Sequence, residues 1–234
     1  MGMTERVRRL RAASLSAVPA ISTERAELIT QFYRQHAEAC SEPVRRALAF
    51  RHLVERQTIY LGEDELIVGE KGPAPKETPT YPELCCHTLE DLDILDTRDK
   101  ISFRVSSQAR RVYQHEIIPF WHGRTMRERI LAEMAPEWHA AYQAGVFTEF
   151  MEQRSPGHTV LDGKIYQKGM LDFQHDIDHA LRSLDFLSDP GAYAKKEQLR
   201  AMRIAAGAII RFAERHAELA EAQAAAARAA GRGE

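Results

Sequence analysis

One histidine stands in a rigid turn of an otherwise helical sequence. In the stretch "RSPGHTVLDGKIYQKG" (154–169), Ser155-Pro156-Gly157 interrupts the helical pattern and places His158 directly after it. The aromatic residues Phe147 and Phe150 come just before the turn. An imidazole in a rigid loop beside an aromatic wall is typical of a ligand pocket. The alternative is a surface turn in which the histidine caps a helix end, and spacing alone leaves both open.

The spacing of the other reactive side chains does not favour a metal site. Cys85 and Cys86 are adjacent, so their side chains point apart, and no second cysteine pair is present to complete a zinc site with His87. We expect buried thiols beside a turn, packed as small apolar groups. His175 and His179 lie one helical turn apart, but a third ligand is not evident. We predict two solvated histidines there and no bound metal in the chain.

Two familiar loop motifs are also excluded. The segment from Gly157 to Lys164 is similar to a phosphate-binding loop, but it has one residue too many between its glycines, and Ile165 replaces the required Ser or Thr. A Gly-x-Ser-x-Gly nucleophile elbow does not occur, so Ser-His-Asp catalysis has no support. Among the residues themselves, the turn at His158 is the one feature that suggests binding.

The composition bounds the class of protein. The chain has 234 residues, 44% of them hydrophobic and 28% charged, which suits one large domain or two small ones with a sizeable core. A formal net charge of −2 gives no reason to expect nucleic acid or an anionic membrane surface as a partner. No long apolar run and no secretory leader are visible. Three cysteines, two of them adjacent, are a poor disulfide framework, so we expect a reducing cytoplasm.

Helical patterns dominate the chain. Ser and Thr caps, prolines at first helical positions and apolar spacings of three and four predict a mainly α-helical fold. Thr125-Met-Arg-Glu128 matches a capping box, and Ser22 and Ser106 are further candidate caps. The predicted helices cover 4–16, a segment from Ser22, a segment from Pro43, 88–95, 106–119, a segment from Thr125, Pro136 to about Gly145, 174–186 and a long final helix from Asp189.

Two stretches between helices predict other structure. The segment 58–72 has two short apolar runs around Gly62-Glu63-Asp64, which favours a small β-hairpin. The segment 72–83 carries four prolines and is predicted to be a surface loop. The fold class is therefore mainly α with a few short strands.

The final helix has a predicted apolar stripe and an unusual end. From about residue 217 the sequence is rich in alanine and lacks large apolar residues, so it has high helix propensity and little to pack with. We expect 217–234 to be an exposed helix end, as in a chain cut from something longer. The predicted inward-facing stripe is formed by Leu199, Met202, Ala206, Ile209, Ala213 and His216.

Eight segments spread along the chain carry a family resemblance. They are "ISTERAELITQFY", "PVRRALAFRHLVE", "DELIVGEKG", "TYPELCCHTLEDL", "EIIPFWHGR", "APEWHAAYQAG", "FTEFMEQRSPGHTV" and "KIYQKGMLDF". Together they resemble the N-terminal part of the glycyl radical enzymes of the pyruvate formate-lyase superfamily, and most closely the trans-4-hydroxy-L-proline dehydratases. The two most specific parts are "FTEFMEQRSPGHTV" and "TYPELCCHT", whereas "DELIVGE" supports only the superfamily.

The resemblance implies a fold and a chemistry. The fold is a ten-stranded α/β barrel wrapped in helices, and residues 1–234 would be the N-terminal part of its pyruvate formate-lyase-type domain. A radical S-adenosylmethionine activase installs a glycyl radical, which oxidises a cysteine to a thiyl. The thiyl takes a hydrogen atom from a small hydroxylated substrate such as trans-4-hydroxy-L-proline, and water is eliminated. The full-length enzyme is implied to be a homodimer.

The sequence departs from the family in its radical residues. The family's cysteine lies in a Gly-Cys-x-Glu loop and its glycine in an Arg-Val-x-Gly-Tyr-type loop, and neither loop is present. Cys40, Cys85 and Cys86 match neither loop, so none inherits the thiyl role. We therefore expect a portion of a lyase that has no catalytic residue of its own, binds no cofactor and is inactive alone.

Two positions match the family's substrate pocket. The resemblance implies that His158 reaches the departing hydroxyl of the substrate and that Phe150 lines the pocket. Loss of a hydroxyl leaves hydroxide unless a proton or hydrogen bond reaches it, and histidine supplies either near neutral pH. Two alternatives stay open: a helical binding or interaction module without radical chemistry, and a related glycyl radical lyase that acts on a diol or an amino alcohol.

Overall fold

Helices form most of the part of the chain that the structure describes. The computed structural model describes residues 2–36, 40–147 and 161–231. Two short strands are present there, β1 (Ala20–Ser22) and β2 (Glu77–Pro79). The helices are α1 (Glu5–Ser16), α2 (Glu24–Gln35), α3 (Glu42–Arg56), α4 (Leu89–Thr97), α5 (Ser107–Val112), α6 (Ile118–Trp121), α7 (Met126–Glu133), α8 (Pro136–Gln143), α9 (Met170–Arg182) and α10 (Ala192–Ala229).

The main hydrophobic core lies where α2 meets α3 and the segment from α4 to α6. α2 buries Ala26, Ile29 and Phe32, which share one helical face, as its periodicity predicts. α3 adds Ala49 and Leu53. Removing these apolar side chains from water holds the layers together. The other buried members of this core are Leu92, Val105, Ala109, Val112, Tyr113, Ile117 and Trp121.

Two predicted helix starts are confirmed by their hydrogen bonds. The Thr125 hydroxyl accepts from the Glu128 N–H at 3.0 Å, and the Glu128 carboxylate accepts from the Thr125 N–H at 3.2 Å. This is the capping box predicted for α7. Ser106 Oγ accepts from the Ala109 N–H at 3.0 Å at the start of α5. Local hydrogen bonding alone decides where these helices begin.

The two strands form a parallel pair in which Ala20 lies opposite Glu77 and Ser22 lies opposite Pro79. Ser22 is therefore the buried end of a strand and not the cap predicted for α2. α2 begins two residues later, at Glu24. The predicted cap is wrong because pairing with a segment 57 positions away, as the register of the strands shows, holds Ser22 in extended backbone.

The hairpin predicted for 58–72 is also wrong, since this segment has turns and bends but no strand. The apolar side chains of its second run are exposed: Leu66 is 81% exposed and Ile67 is 93% exposed. An isolated two-stranded hairpin is marginal in water unless one face is covered.

The proline-rich segment 72–83, predicted as a loop, contains β2. The turn before the strand is so tight that a Cβ on Gly72 would lie 2.0 Å from the Glu77 carbonyl oxygen. Lys76 has a positive φ of 60°. Only glycine fits the first position, so the turn that aims β2 at β1 depends on Gly72.

A π-helical turn joins α5 to α6. It covers Tyr113–Ile117, and the Ile118 N–H donates to the Tyr113 carbonyl, one residue further back than in an α-helix. Pro119 explains the wider turn, because its ring would clash with the carbonyl four residues earlier in an α-helix and it has no N–H to donate. The uninterrupted helix predicted for 106–119 is thus divided, and both Tyr113 and Ile117 point into the core.

The long helix α10 packs on α3 and α9 through a face of small residues. Its buried residues are all alanines, and Ala201 lies in a cluster with Val44 and Ala47 of α3. The predicted stripe is only partly right: Ala206 is buried as predicted, whereas Met202 and Ile209 are 46% and 39% exposed. Alanines let two helix backbones approach closely, so they occupy the contact. The buried alanines are Ala192, Ala201, Ala206 and Ala208.

The far end of α10 still touches α3. Arg215 donates to the Gln57 carbonyl at 2.9 Å, beyond the last turn of α3, where carbonyls lack helical partners. From residue 217 to residue 231 no side chain is buried. None of the helices in the described ranges combines the length and apolar character that crossing a bilayer requires.

Candidate functional site

The two predicted pocket residues, Phe150 and His158, lie outside the described residues, in the segment 148–160. The structure does describe both ends of this segment, at Phe147 and Leu161. The candidate site is therefore described through the elements that precede and follow this segment in the chain.

An aromatic cluster anchors the chain before the turn. The ring of Phe147 packs edge-on against Trp138, with centroids 5.4 Å apart, and lies 5.9 Å from the ring of Tyr142. Both partners belong to α8, which ends in a turn at Gly145 with a φ of 72°. The Tyr142 hydroxyl accepts from Arg127 of α7 at 2.9 Å. α7 and α8 together fix where the segment 148–160 begins.

The chain after the turn is fixed by unusual backbone. Leu161 and Asp162 have positive φ values of 69° and 48°. Residues with side chains rarely adopt this region, so it marks a sharp change of direction. A 3₁₀-helix over Asp162–Tyr166 follows, and the Gly169 N–H donates to Asp172 at 2.9 Å at the start of α9. In sequence, the turn predicted from Ser155-Pro156-Gly157 falls between these two described parts of the chain.

Large apolar side chains are exposed around both supports. Trp138 is 60% exposed, Val146 is 75% exposed and Tyr166 is 87% exposed. One exposed apolar residue is ordinary, but a group of them on each side of one segment marks a surface that another polypeptide or a ligand covers.

The cysteine cluster is not arranged for chemistry. The side chains of Cys85 and Cys86 are half-buried. Burial, with a smaller contribution from Cys85, raises the pKa of the Cys86 thiol to about 12, so it stays protonated and weakly nucleophilic. Burial lowers the pKa of His87, which keeps that imidazole neutral. His175 and His179 of α9 are exposed, as predicted for a polar helix face.

No group of three or more potential metal ligands is present in the described part of the chain. The three cysteines match no radical loop in sequence, and the Cys86 environment disfavours a thiolate. No step of radical chemistry is therefore assigned to them.

A buried polar network, which sequence reasoning missed, fixes the segment that contains the cysteines. The Tyr113 hydroxyl donates to Thr80 Oγ1 at 2.6 Å, and Arg25 of α2 donates to the Thr80 carbonyl at 3.1 Å. The same guanidinium pairs with Glu83 and stacks 3.9 Å above the ring of Tyr81. These contacts give "TYPELCCHT" a structural role, since they attach it to α2 and to the π-helical turn. Residues from three distant segments form the network, so no local sequence pattern predicts it.

The sequence matches the pyruvate formate lyase-like family over residues 3–233. This chain belongs to that family. The match covers both supports and the segment 148–160 between them, so the residues around the candidate pocket are part of the family's shared region.

Individual members of the family are similar over nearly the whole chain. The sequence is 52% identical to trans-4-hydroxy-L-proline dehydratase of Clostridioides difficile over 219 residues, which are 94% of this chain and 28% of that protein. The crystal structure of that organism's hydroxyproline dehydratase, with trans-4-hydroxy-L-proline bound, superposes with a TM-score of 0.89 at 50% identity, over 95% of this chain and 28% of that one.

More distant members share the fold. The glycerol-bound B12-independent glycerol dehydratase of Clostridium butyricum has a TM-score of 0.89 at 27% identity, over 100% of this chain and 30% of that one. A glycyl radical enzyme of Archaeoglobus fulgidus has a TM-score of 0.82 at 25% identity, over 95% of this chain and 28% of that one. The chain thus spans less than a third of the length of these relatives. The predicted fold, the mainly helical N-terminal part of a glycyl radical enzyme barrel, is confirmed.

Proposed function

We propose that this chain forms the N-terminal part of a glycyl radical dehydratase that eliminates water from a small hydroxylated substrate such as trans-4-hydroxy-L-proline. The observation that carries the proposal is 52% identity to a hydroxyproline dehydratase over 94% of this chain, against 28% of that protein. The glycerol dehydratase is only 27% identical. Hydroxyproline is therefore favoured over a diol as the substrate.

His158 and Phe150 are proposed to form one wall of the substrate pocket. The histidine would hydrogen-bond the departing hydroxyl and supply the proton that lets it leave as water. The phenylalanine would exclude water from the same space. The contacts of Phe147 before this segment and the backbone turn at Leu161 after it favour this role, because a catalytic hydrogen bond requires a fixed donor position.

The chain alone is proposed to be inactive. It would need the cysteine and glycine loops of its relatives and a radical S-adenosylmethionine activase to install the radical, and the complete enzyme is proposed to work as a cytoplasmic homodimer. The exposed apolar side chains favour a missing neighbour: Leu66, Ile67 and Leu187 are 81%, 93% and 99% exposed. Residues 1–234 would then pack through these surfaces on the rest of a pyruvate formate-lyase-type domain.

A chimera tests the proposal. This chain replaces the matched 28% of the Clostridioides difficile dehydratase, and the product is activated without oxygen. We expect a glycyl radical by electron paramagnetic resonance and turnover of trans-4-hydroxy-L-proline. The unfused chain, given the same activase and S-adenosylmethionine, should give neither.

The chimera also separates the alternatives. A radical with turnover of propane-1,2-diol or an amino alcohol, but not of hydroxyproline, would assign a different lyase. A folded chimera that forms no radical would favour an interaction module without radical chemistry.

In the active chimera, His158→Ala is expected to lower the elimination rate by about 10²-fold or more, the usual contribution of a general acid. The thermal midpoint should be unchanged, because a pocket histidine contributes little to stability. His122→Ala is the matched control, since the His122 side chain is 86% exposed. Equal loss of rate and stability in His158→Ala would instead identify a structural histidine.

A further inference from the structure

Five arginines from four segments of the chain line one groove of about 1140 Å³. The groove lies between α2, the start of α3 and the segment from α6 to α7. Bringing five guanidinium groups together is electrostatically unfavourable, so their convergence needs a reason. The arginines are Arg34, Arg45, Arg46, Arg124 and Arg129.

Three aromatic rings form a continuous floor for this groove. Trp121 lies 5.6 Å from Tyr33 and 5.1 Å from Phe120, measured between ring centroids. Trp121 is itself fixed, because its Nε1–H donates to the buried Thr30 hydroxyl at 2.8 Å. The floor therefore has a defined geometry before any ligand arrives.

The floor holds three of the cations in place. The guanidinium carbons of Arg34 and Arg124 lie 5.5 Å and 4.6 Å from the centroid of Phe120. That of Arg45 lies 5.6 Å from the centroid of Tyr33. A guanidinium stacked on a ring uses its face for the ring and keeps its N–H groups directed sideways, where they can bind an anion.

The carboxylates of the groove do not balance this charge. Glu42 pairs with Arg45, and Glu83 pairs with Arg25, which is not a groove residue. Arg34 lies 3.7 Å from the Glu116 carboxylate.

Three of the arginines have no carboxylate to neutralise them. Within residues 2–36, 40–147 and 161–231, Arg46, Arg124 and Arg129 form no salt bridge. The Arg124 guanidinium donates to the Phe120 carbonyl at 3.0 Å, which is not a charged acceptor. Among the groove carboxylates in the described chain, Glu133 is the one that forms no salt bridge. Three arginines without a salt bridge against one such carboxylate leave the groove lining with an excess of positive charge.

We propose that this groove binds a small organic polyanion, a molecule with two or more carboxylate or phosphate groups. Preorganised guanidinium groups bind both kinds of anion in a bidentate manner. The groove volume, about 1140 Å³, is slightly above the range of about 300–1,000 Å³ that is usual for small-molecule sites. The chain as a whole has a net charge of −2, which gives no reason to expect an extended nucleic-acid surface.

Isothermal titration calorimetry of the chain at low salt, with pyrophosphate and with citrate as separate probes, tests the site. We expect a dissociation constant below about 1 mM for at least one probe, since several charge-assisted hydrogen bonds form at once. Binding of pyrophosphate alone assigns phosphate, binding of citrate alone assigns carboxylate, and binding of both supports the shared chemistry.

The double variant Arg46→Gln/Arg129→Gln should weaken binding at least tenfold. Both side chains are exposed, so the fold should be preserved. The matched control is Arg182→Gln/Arg228→Gln, which removes the same charge from exposed positions on α9 and α10, outside the groove. Equal weakening by both pairs would show attraction by net charge only and would overturn the proposal, as would the absence of binding.

A second measurement locates the ligand without any arginine variant. The two tryptophans give two indole N–H resonances, and Trp138→Phe assigns them. Addition of the bound probe should shift the Trp121 resonance and leave that of Trp138 in place. A shift of Trp138 alone, or capture of an acidic polypeptide with no response to either probe, would contradict a small-molecule site in the groove.

Discussion

At the scale of single residues, Thr30 joins two helices through one hydroxyl. It donates to the Ala26 carbonyl at 2.6 Å and accepts from Trp121 Nε1 at 2.8 Å, and both side chains are buried. Replacing this hydroxyl with a methyl leaves the indole N–H without an acceptor in the core. Leaving a buried donor without an acceptor lowers the free energy of unfolding by more than the net amount that its hydrogen bond contributed.

We therefore expect Thr30→Val to lower the free energy of unfolding by about 1–3 kcal/mol, measured by urea denaturation. The same change in a Trp121→Phe background should cost clearly less, because no indole N–H remains to be left unsatisfied. An equal cost in both backgrounds would show that the hydrogen bond contributes nothing.

His87 gives the fold a pH dependence of known sign. Burial lowers its pKa below the ordinary value of 6.5, so between the two values the unfolded chain binds more protons than the folded one. Stability should be greatest above pH 6.5 and fall as the pH drops through this window. Unfolding free energies measured from pH 7.5 to 5.5 should therefore decrease.

The His87→Gln variant should show a shallower decrease over the same pH range. Some slope should remain, because burial also lowers the pKa of His52. His115→Gln serves as the control, since this histidine is exposed, and it should keep the wild-type slope. An unchanged slope in His87→Gln would contradict the assigned burial effect.

At the scale of elements, α10 has two different faces. The alanine face packs on α3 and α9, and the face with Met202 and Ile209 is exposed. Ala208→Glu, at a fully buried position, should destabilise the chain by more than about 3 kcal/mol, because a carboxylate enters an apolar contact. Ile209→Glu, the adjacent residue, should change stability by less than about 0.5 kcal/mol. Urea denaturation of the two variants decides which face is buried.

At the scale of the whole molecule, large apolar side chains from distant parts of the sequence are exposed on the surface. Ile67 and Leu187 are among the most exposed of them. The isolated chain is therefore expected to self-associate at concentrations of tens of micromolar, as measured by analytical ultracentrifugation. Ile67→Glu/Leu187→Glu should shift the chain toward monomer without changing the free energy of unfolding.

The control for this prediction adds the same two charges at polar, exposed positions, as Gln114→Glu/Gln198→Glu. It should associate like the wild type. If both pairs abolish association, net charge and not the apolar surface is responsible.

The family match covers residues 3–233, nearly the whole chain. The candidate site, in contrast, could be predicted only in part from the sequence. The turn at Ser155-Pro156-Gly157 and the histidine after it were visible because proline and glycine interrupt a helix by local sterics. The supports at Phe147 and Leu161 were not visible in the sequence, since an edge-on ring contact and a left-handed backbone angle arise from packing. The roles of His158 and Phe150 stay predictions, since both lie outside the described residues.

The sequence by itself determined the helix starts at Thr125 and Ser106. Thr125 and Ser106 cap their helices through hydrogen bonds that span three residues, so nothing distant can change them. Tertiary structure decided what depends on distant partners. Ser22 lies in a strand because it pairs with Glu77–Pro79. The 58–72 segment forms no strand, and Leu66 and Ile67 within it are exposed. α10 turns alanines inward because small residues allow α3 to approach.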